Sequence, residues 1–154
     1  MKDATKDAMI DPAAEARLVS AARAARERAY APYSRFAVGS AVLAAPDQGH
    51  PAGKADALVF AGCNVENASF GLTICAERSA VFQAVAAGVR RLVAVAVVTD
   101  APTPTMPCGA CRQVLREFGS DMVVIAATVG GQVARTRLGD LLPDAFGPDD
   151  LPGA

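Results

Sequence analysis

The sequence has no excess of basic charge: 15 Lys and Arg stand against 16 Asp and Glu, for a net charge of −1 and a pI near 5.8. Nucleic-acid backbones are held by clustered cations, so no nucleic-acid partner is expected. No apolar run reaches the roughly 18 residues that cross a bilayer, so no membrane partner is expected either. The N-terminal stretch Met1 to Asp11 is polar and of mixed charge, without the apolar core of a secretory signal. Internal repeats and low-complexity linkers are also missing. A single histidine, His50, is present; it falls in a loop-like stretch with no second imidazole to share a metal. Four cysteines without a secretory signal fit a reducing cytoplasm, where thiols hold metal more often than they form disulfides.

What is there reads as an ordinary folded domain. The 154 residues are 52% apolar and 20% charged, enough to bury one core. Residues 1–12 are expected to be a frayed tail and 13–154 a single domain. Asp11-Pro12 is a helix start, a capping carboxylate followed by proline at the first helical position, and Ala13 to Ala29 continue as helix. Ala31-Pro32-Tyr33-Ser34 breaks it. Phe36 to Ala45 reads as a strand, Pro46 to Asp56 as a turn region containing Gly49, Pro51 and Gly53, and Ala57 to Val65 as a second strand antiparallel to the first. A helix from Cys75 stops at Gly88. Arg91 to Val98 is nearly continuous apolar sequence, as in a strand covered on both faces, and strand–helix–strand implies a parallel neighbour. A proline-rich loop leads to a helix from Cys108 to near Gly119. Met122 to Val129 is another buried strand, Gly130-Gly131 signals a two-residue hairpin, and Gln132 to Leu138 returns antiparallel. Leu138 to Phe146 is expected to be a short helix packed on its own domain, the alternative being a segment that covers a neighbouring subunit. The sum is an α/β fold, a three-layer α/β/α sandwich around a five-stranded mixed sheet.

Two stretches carry the chemistry: Thr73-Ile74-Cys75-Ala76-Glu77-Arg78 and Pro107-Cys108-Gly109-Ala110-Cys111-Arg112. Three thiols match the three protein ligands of a catalytic zinc, which leaves its fourth position to water. Bound zinc lowers the pKa of that water from about 15.7 towards about 7. Glu77, two residues from Cys75, is a carboxylate able to carry protons beside it. Cys108 and Cys111 are spaced to share one face of a first helical turn, and helix N-termini favour thiolates. Three thiolates on a divalent ion leave a charge of −1, which Arg78 and Arg112 could offset by hydrogen bonding to sulfur. Taken alone, a C-x-x-C pair reads equally as metal site or redox disulfide.

The chain resembles the small, three-cysteine cytidine deaminases, whose superfamily signature pairs a C-x-E or H-x-E with P-C-x-x-C. The resemblance runs from about Ala13 to Leu151. It also rests on Ala31-Pro32-Tyr33-Ser34-Arg35-Phe36-Ala37-Val38-Gly39, on Gly62-Cys63-Asn64-Val65-Glu66-Asn67-Ala68 and on Leu141-Leu142-Pro143-Asp144-Ala145-Phe146-Gly147. It implies one zinc per subunit on Cys75, Cys108 and Cys111, with Glu77 as proton shuttle. It implies further that Phe36 stacks on the pyrimidine, Asn64 and Glu66 bind the ribose 3′-hydroxyl, and the Ala76 N–H binds the base carbonyl. Arg78 tempers the ligand charge. Phe146 and Ala68 reach a neighbour's site in a homotetramer. Cys63 is not a ligand in this pattern, and Phe70 stands where relatives often have tyrosine. The implied activity is hydrolytic deamination of cytidine and deoxycytidine in pyrimidine salvage. Competing readings are a deaminase of a nucleoside antibiotic of the blasticidin S kind, a polynucleotide-editing deaminase, and a structural zinc or redox module. Asn64 and Glu66 oppose the first, the charge balance the second, and Glu77, which would have no task, the third.

Overall fold

The structure, a computed structural model, describes residues 9–48 and 58–153. Most of the turn region, His50 included, and most of the N-terminal tail lie outside them. Among the described residues the architecture is carried by α1 (Pro12–Arg26), β1 (Gly39–Ala44), β2 (Val59–Cys63), α2 (Ala76–Ala86), β3 (Leu92–Thr99), α3 (Gly109–Phe118), β4 (Val123–Thr128), β5 (Val133–Arg137) and α4 (Leu138–Leu141). The strands form one sheet in the order β2-β1-β3-β4-β5. Only β3 and β4 run parallel as neighbours; β1 pairs antiparallel with both β2 and β3, and β5 antiparallel with β4. The expected five-stranded mixed sheet is therefore present. The parallel neighbour of the strand that follows the Cys75 helix is β4. β2 also runs parallel to β3, but β1 sits between them.

Alternation along β3 builds both outer layers. Val95 and Val97 face one way with Val42 and Val124, and meet Ala80, Val81 and Ala84 of α2 and Leu115 of α3. Ala94, Ala96 and Val98 face the other way with Ala41 and Ile125, and meet Leu18 and Ala22 of α1. Successive strand residues point to opposite faces, so a continuously apolar strand must be covered twice. The result is the expected three-layer α/β/α sandwich, with α2 and α3, the helices that begin at the cysteines, on one face.

Local chemistry sets the element ends. Asp11 accepts from Ala14 N at 3.0 Å as the cap of α1, with Pro12 behind it. Such a cap contributes about 1 kcal/mol. The helix stops at Arg26, three residues earlier than expected, because Tyr30 is drawn into a bridge with Val65, its N–H reaching Asn64 O at 3.0 Å. β1 starts at Gly39 rather than Phe36. Arg35 takes φ 57°, and the next residues are held by a side chain in place of a strand: Asn64 Oδ1 accepts from Val38 N at 2.9 Å and Nδ2 donates to Phe36 O at 2.8 Å. α2 ends in a left-handed Gly88 with φ 94°; Val89 N bonds Ala84 O and Gly88 N bonds Val85 O, both at 3.0 Å, a Schellman closure. The expected two-residue hairpin is a three-residue loop: Thr128 N bonds Gln132 O at 2.9 Å, Gly131 N bonds Thr128 O at 3.0 Å, and Gly131 takes φ 94°. One left-handed glycine after a turn suits this loop. The short helix expected over Leu138 to Phe146 is shorter: α4 covers only Leu138–Leu141 and packs through buried Leu138.

Candidate metal centre

Cys75 is the N-cap of α2 and Cys108 the N-cap of α3; Cys111 lies in the first turn of α3. Both caps are extended, and neither makes a side-chain capping bond, so the two thiols are left to face each other. Tight packing delivers α2 to this place. A β-carbon on Gly62 of β2 would stand 2.5 Å from Ala80 N and 2.7 Å from Ser79 Cβ, so only glycine lets the helix lie so close. A bridge between Val65 and Ile74, with N–H···O bonds of 2.9 and 3.0 Å, fixes the residue before Cys75 against the Asn64–Glu66 stretch.

The three sulfurs lie within 4.8 Å of one another, and Cys75 Sγ is 3.8 Å from Cys108 Sγ. Two thiolates at about 2.3 Å from a tetrahedral zinc are separated by about 3.8 Å. The donor set and its spacing therefore fit zinc. No other cluster of three such side chains occurs among the described residues.

Electrostatics favours ionisation of Cys75 and opposes that of Cys111 and Glu77. The Cys75 thiol is drawn down to about 5, chiefly by hydrogen bonding from Cys111 and then from Arg78 and Cys108. The Cys111 thiol is pushed up, first because it donates to Cys75 and then because it is buried. Arg78 Nη2 donates to Cys75 Sγ at 3.4 Å. Arg112 does not serve the sulfurs as the sequence suggested. Its Nε donates to Pro107 O at 2.7 Å and its Nη1 to Leu141 O at 2.8 Å, because the first turn of α3 directs it away from the thiols. Glu77 is 5% exposed. Burial raises its carboxyl above the usual range, with the Cys75 charge adding to the rise.

These groups border a cavity of about 240 Å³ lined by Phe36, Asn64, Glu66, Cys75, Ala76, Glu77 and Cys108, together with Ser34, Val38, Thr73, Val97, Thr99, Thr105 and Met106. Ligand pockets run to roughly 300–1,000 Å³, so this one suits a single small molecule. The Ala76 N–H opens α2 at the cavity wall, where the first helical N–H groups lack intrahelical acceptors. Glu66 accepts from Tyr33 N at 2.9 Å and Ser34 N at 3.2 Å, and from the Ser34 hydroxyl. The Ser34 bond is the main reason its carboxyl sits below the usual range. Ala68 and Phe146 are exposed and border no part of this cavity in their own chain. Sequence reading missed Thr99 and Thr105, whose hydroxyls stand 3.2 Å apart. The signal for Thr99 was its position at the carboxyl end of a parallel strand, where α/β sheets place their ligands.

Comparison with known proteins agrees with this chemistry. Residues 13–127 match the family described as the cytidine and deoxycytidylate deaminase zinc-binding region. The chain is 44% identical over 136 residues to cytidine deaminase of Sporosarcina psychrophila, spanning 88% of this chain and 93% of that one. It is 51% identical over 124 residues to cytidine deaminase of Mycobacterium tuberculosis, spanning 80% and 83%. The crystal structure of cytidine deaminase from Burkholderia pseudomallei superposes with a TM-score of 0.74 at 49% identity, covering 90% of this chain and 100% of that chain.

Proposed function

The chain belongs to the cytidine and deoxycytidylate deaminase family, and from that premise we propose that it is a zinc-dependent hydrolase converting cytidine and deoxycytidine to uridine and deoxyuridine with release of ammonia. The observation that carries this reading is the buried Glu77 beside three thiols within 4.8 Å of one another, at the wall of one small cavity.

Cys75, Cys108 and Cys111 would hold the metal, and bound zinc supplies a water acidified to a pKa near 7. Glu77 takes one proton of the water attacking C4 and passes it to N3, then takes the remaining proton of the added hydroxyl and gives it to the departing amine as the C4 carbonyl forms. Burial raises the Glu77 carboxyl above the usual range, which suits a group that must both accept and return a proton. Arg78 offsets part of the thiolate charge through Cys75. Phe36 stacks on the pyrimidine, and the Ala76 N–H binds the base carbonyl. Asn64 and Glu66 keep capacity for a ribose 3′-hydroxyl beyond their internal bonds. The amide nitrogen has two hydrogens and a carboxylate accepts about four bonds, of which the internal contacts use one and three.

Phe146 and Ala68, exposed in the single chain, serve a neighbouring subunit's site in a homotetramer. The enzyme works in the cytoplasm, in pyrimidine salvage, with residues 13–154 as one domain. No helix among the described residues is long and apolar enough to cross a membrane.

The test is a substrate panel followed by ammonia release. Cytidine and deoxycytidine should both turn over and free cytosine poorly, because unfilled ribose contacts leave Asn64 and Glu66 unpaired with substrate. Efficient turnover of cytosine would remove the ribose assignment, and inertness towards all three would remove the activity.

A further inference from the structure

The helix that carries two of the three thiols also grips the C-terminal segment. Arg112, next to Cys111, spans two carbonyls: that of Pro107, the residue before Cys108, at 2.7 Å, and that of Leu141, the last residue of α4, at 2.8 Å. Further along α3, Gln113 Nε2 donates to Phe146 O at 3.0 Å. The Arg116 guanidinium lies against Gly147, where a β-carbon would stand 2.7 Å from its Cζ. Gly147 N in turn bonds Asp150 Oδ2 at 2.8 Å. α3 is thus bound at its start to the cysteine loop and along its outer side to residues 141–147.

We propose that Arg112 is a positioning residue that couples the metal loop to the C-terminal segment, so that metal occupancy and the order of residues 138–147 are linked. The proposal rests on the reading that Cys75, Cys108 and Cys111 hold zinc. A guanidinium suits this task because its planar fork carries five donors and can hold two acceptors in different directions at once, where an ammonium offers a single point. Groups that orient a metal's ligands typically change metal affinity by 10–100-fold when removed. Linkage is reciprocal: if the segment steadies the loop through Arg112, zinc steadies the segment through the same side chain. Phe146 lies within that segment, so its presentation depends on the metal without touching it.

Hydrogen exchange on the full-length protein tests this, with and without zinc, for wild type and Arg112→Met. The readout is exchange in 138–147 relative to β4, a ratio that uniform loosening does not move. Zinc removal should raise the ratio about tenfold in wild type and less than about twofold in Arg112→Met, whose ratio is already high with zinc bound. Cobalt(II) in place of zinc should give a shifted thiolate-to-metal absorption in Arg112→Met and an intermediate one in Arg112→Lys. A wild-type ratio indifferent to zinc, a Met variant as zinc-sensitive as wild type, or an unshifted cobalt spectrum would overturn the coupling. If Arg112→Met does not fold, Arg112→Lys is judged by the same ratio. A wild type that binds no zinc would overturn the coupling together with the metal reading beneath it.

Discussion

At the scale of single residues, the site separates groups held by the fold from groups left for a ligand. Asn64 is both: its side chain stands in for strand hydrogen bonds at Phe36 and Val38, yet borders the cavity. Asn64→Ala should therefore lower stability and raise KM together, whereas Phe36→Ala should raise KM for cytidine about tenfold with little effect on melting, since base–aromatic stacking contributes roughly 1–3 kcal/mol. Steady-state kinetics beside thermal melts distinguishes the two. Glu66 gives a pH prediction. Its folded carboxyl is held below the usual range, mainly by the Ser34 hydroxyl. That contribution is present above the unfolded carboxylate pKa and is lost as pH falls through the lower folded value. Wild type should therefore melt above Glu66→Gln at pH 7, and the gap should close as the medium is acidified below pH ~4. A gap constant across that window would mean the carboxylate charge is not what Ser34 and the backbone amides hold. The zinc residues and Glu77 were legible in the sequence because their chemistry demands those side chains at short spacing. Arg112 was misread because spacing along the chain does not say which way a long side chain turns.

At the scale of elements, the helix starts matter more than the strands. α2 and α3 each begin at a cysteine, and the depth of α2 over the sheet is set by Gly62 of β2. Gly62→Val should displace α2 and strain the cysteine pair, costing about 1–3 kcal/mol as an overpacked core substitution and lowering bound zinc in proportion; a folded variant with full zinc would show that α2 does not depend on this contact. Asp11→Ala, at the far end of α1, should cost about 1 kcal/mol and leave zinc content unchanged, which chemical denaturation and metal analysis can read side by side. Periodicity and turn chemistry were enough to anticipate all five strands, the Gly88 stop and the Asp11 start. The errors fell where a side chain or a distant segment replaced local pattern: Asn64 taking over from strand pairing at Phe36, the Tyr30–Val65 bridge closing α1 at Arg26 rather than Ala29, and Thr128 opening the hairpin by one residue.

At the scale of the whole molecule, the chain is a scaffold whose sheet brings two separate sequence stretches to one point. The pair order of the strands, with β1 inserted between β2 and β3, was not legible, because apolar content shows that a strand is covered but not which strand lies beside it. Exposed Tyr33, Phe70, Leu72 and Phe146 belong to a surface that the proposed homotetramer would cover. Phe146→Ala should then reduce cytidine turnover at least several-fold although Phe146 does not line the thiol cavity of its own chain, and sedimentation equilibrium should return about four chains per particle for wild type. Zinc removal should lower the melting temperature, since a ligand bound only to the folded state stabilises it. The central claim, that a buried carboxyl beside three thiols deaminates a cytosine nucleoside, is tested most directly by following the ultraviolet absorbance of cytidine with wild type and with Glu77→Gln at equal zinc content. Wild type should give steady loss of absorbance, and the variant a rate lower by at least about 10²-fold. Equal rates would take Glu77 out of the chemistry, and no loss with zinc-loaded wild type would contradict the activity itself.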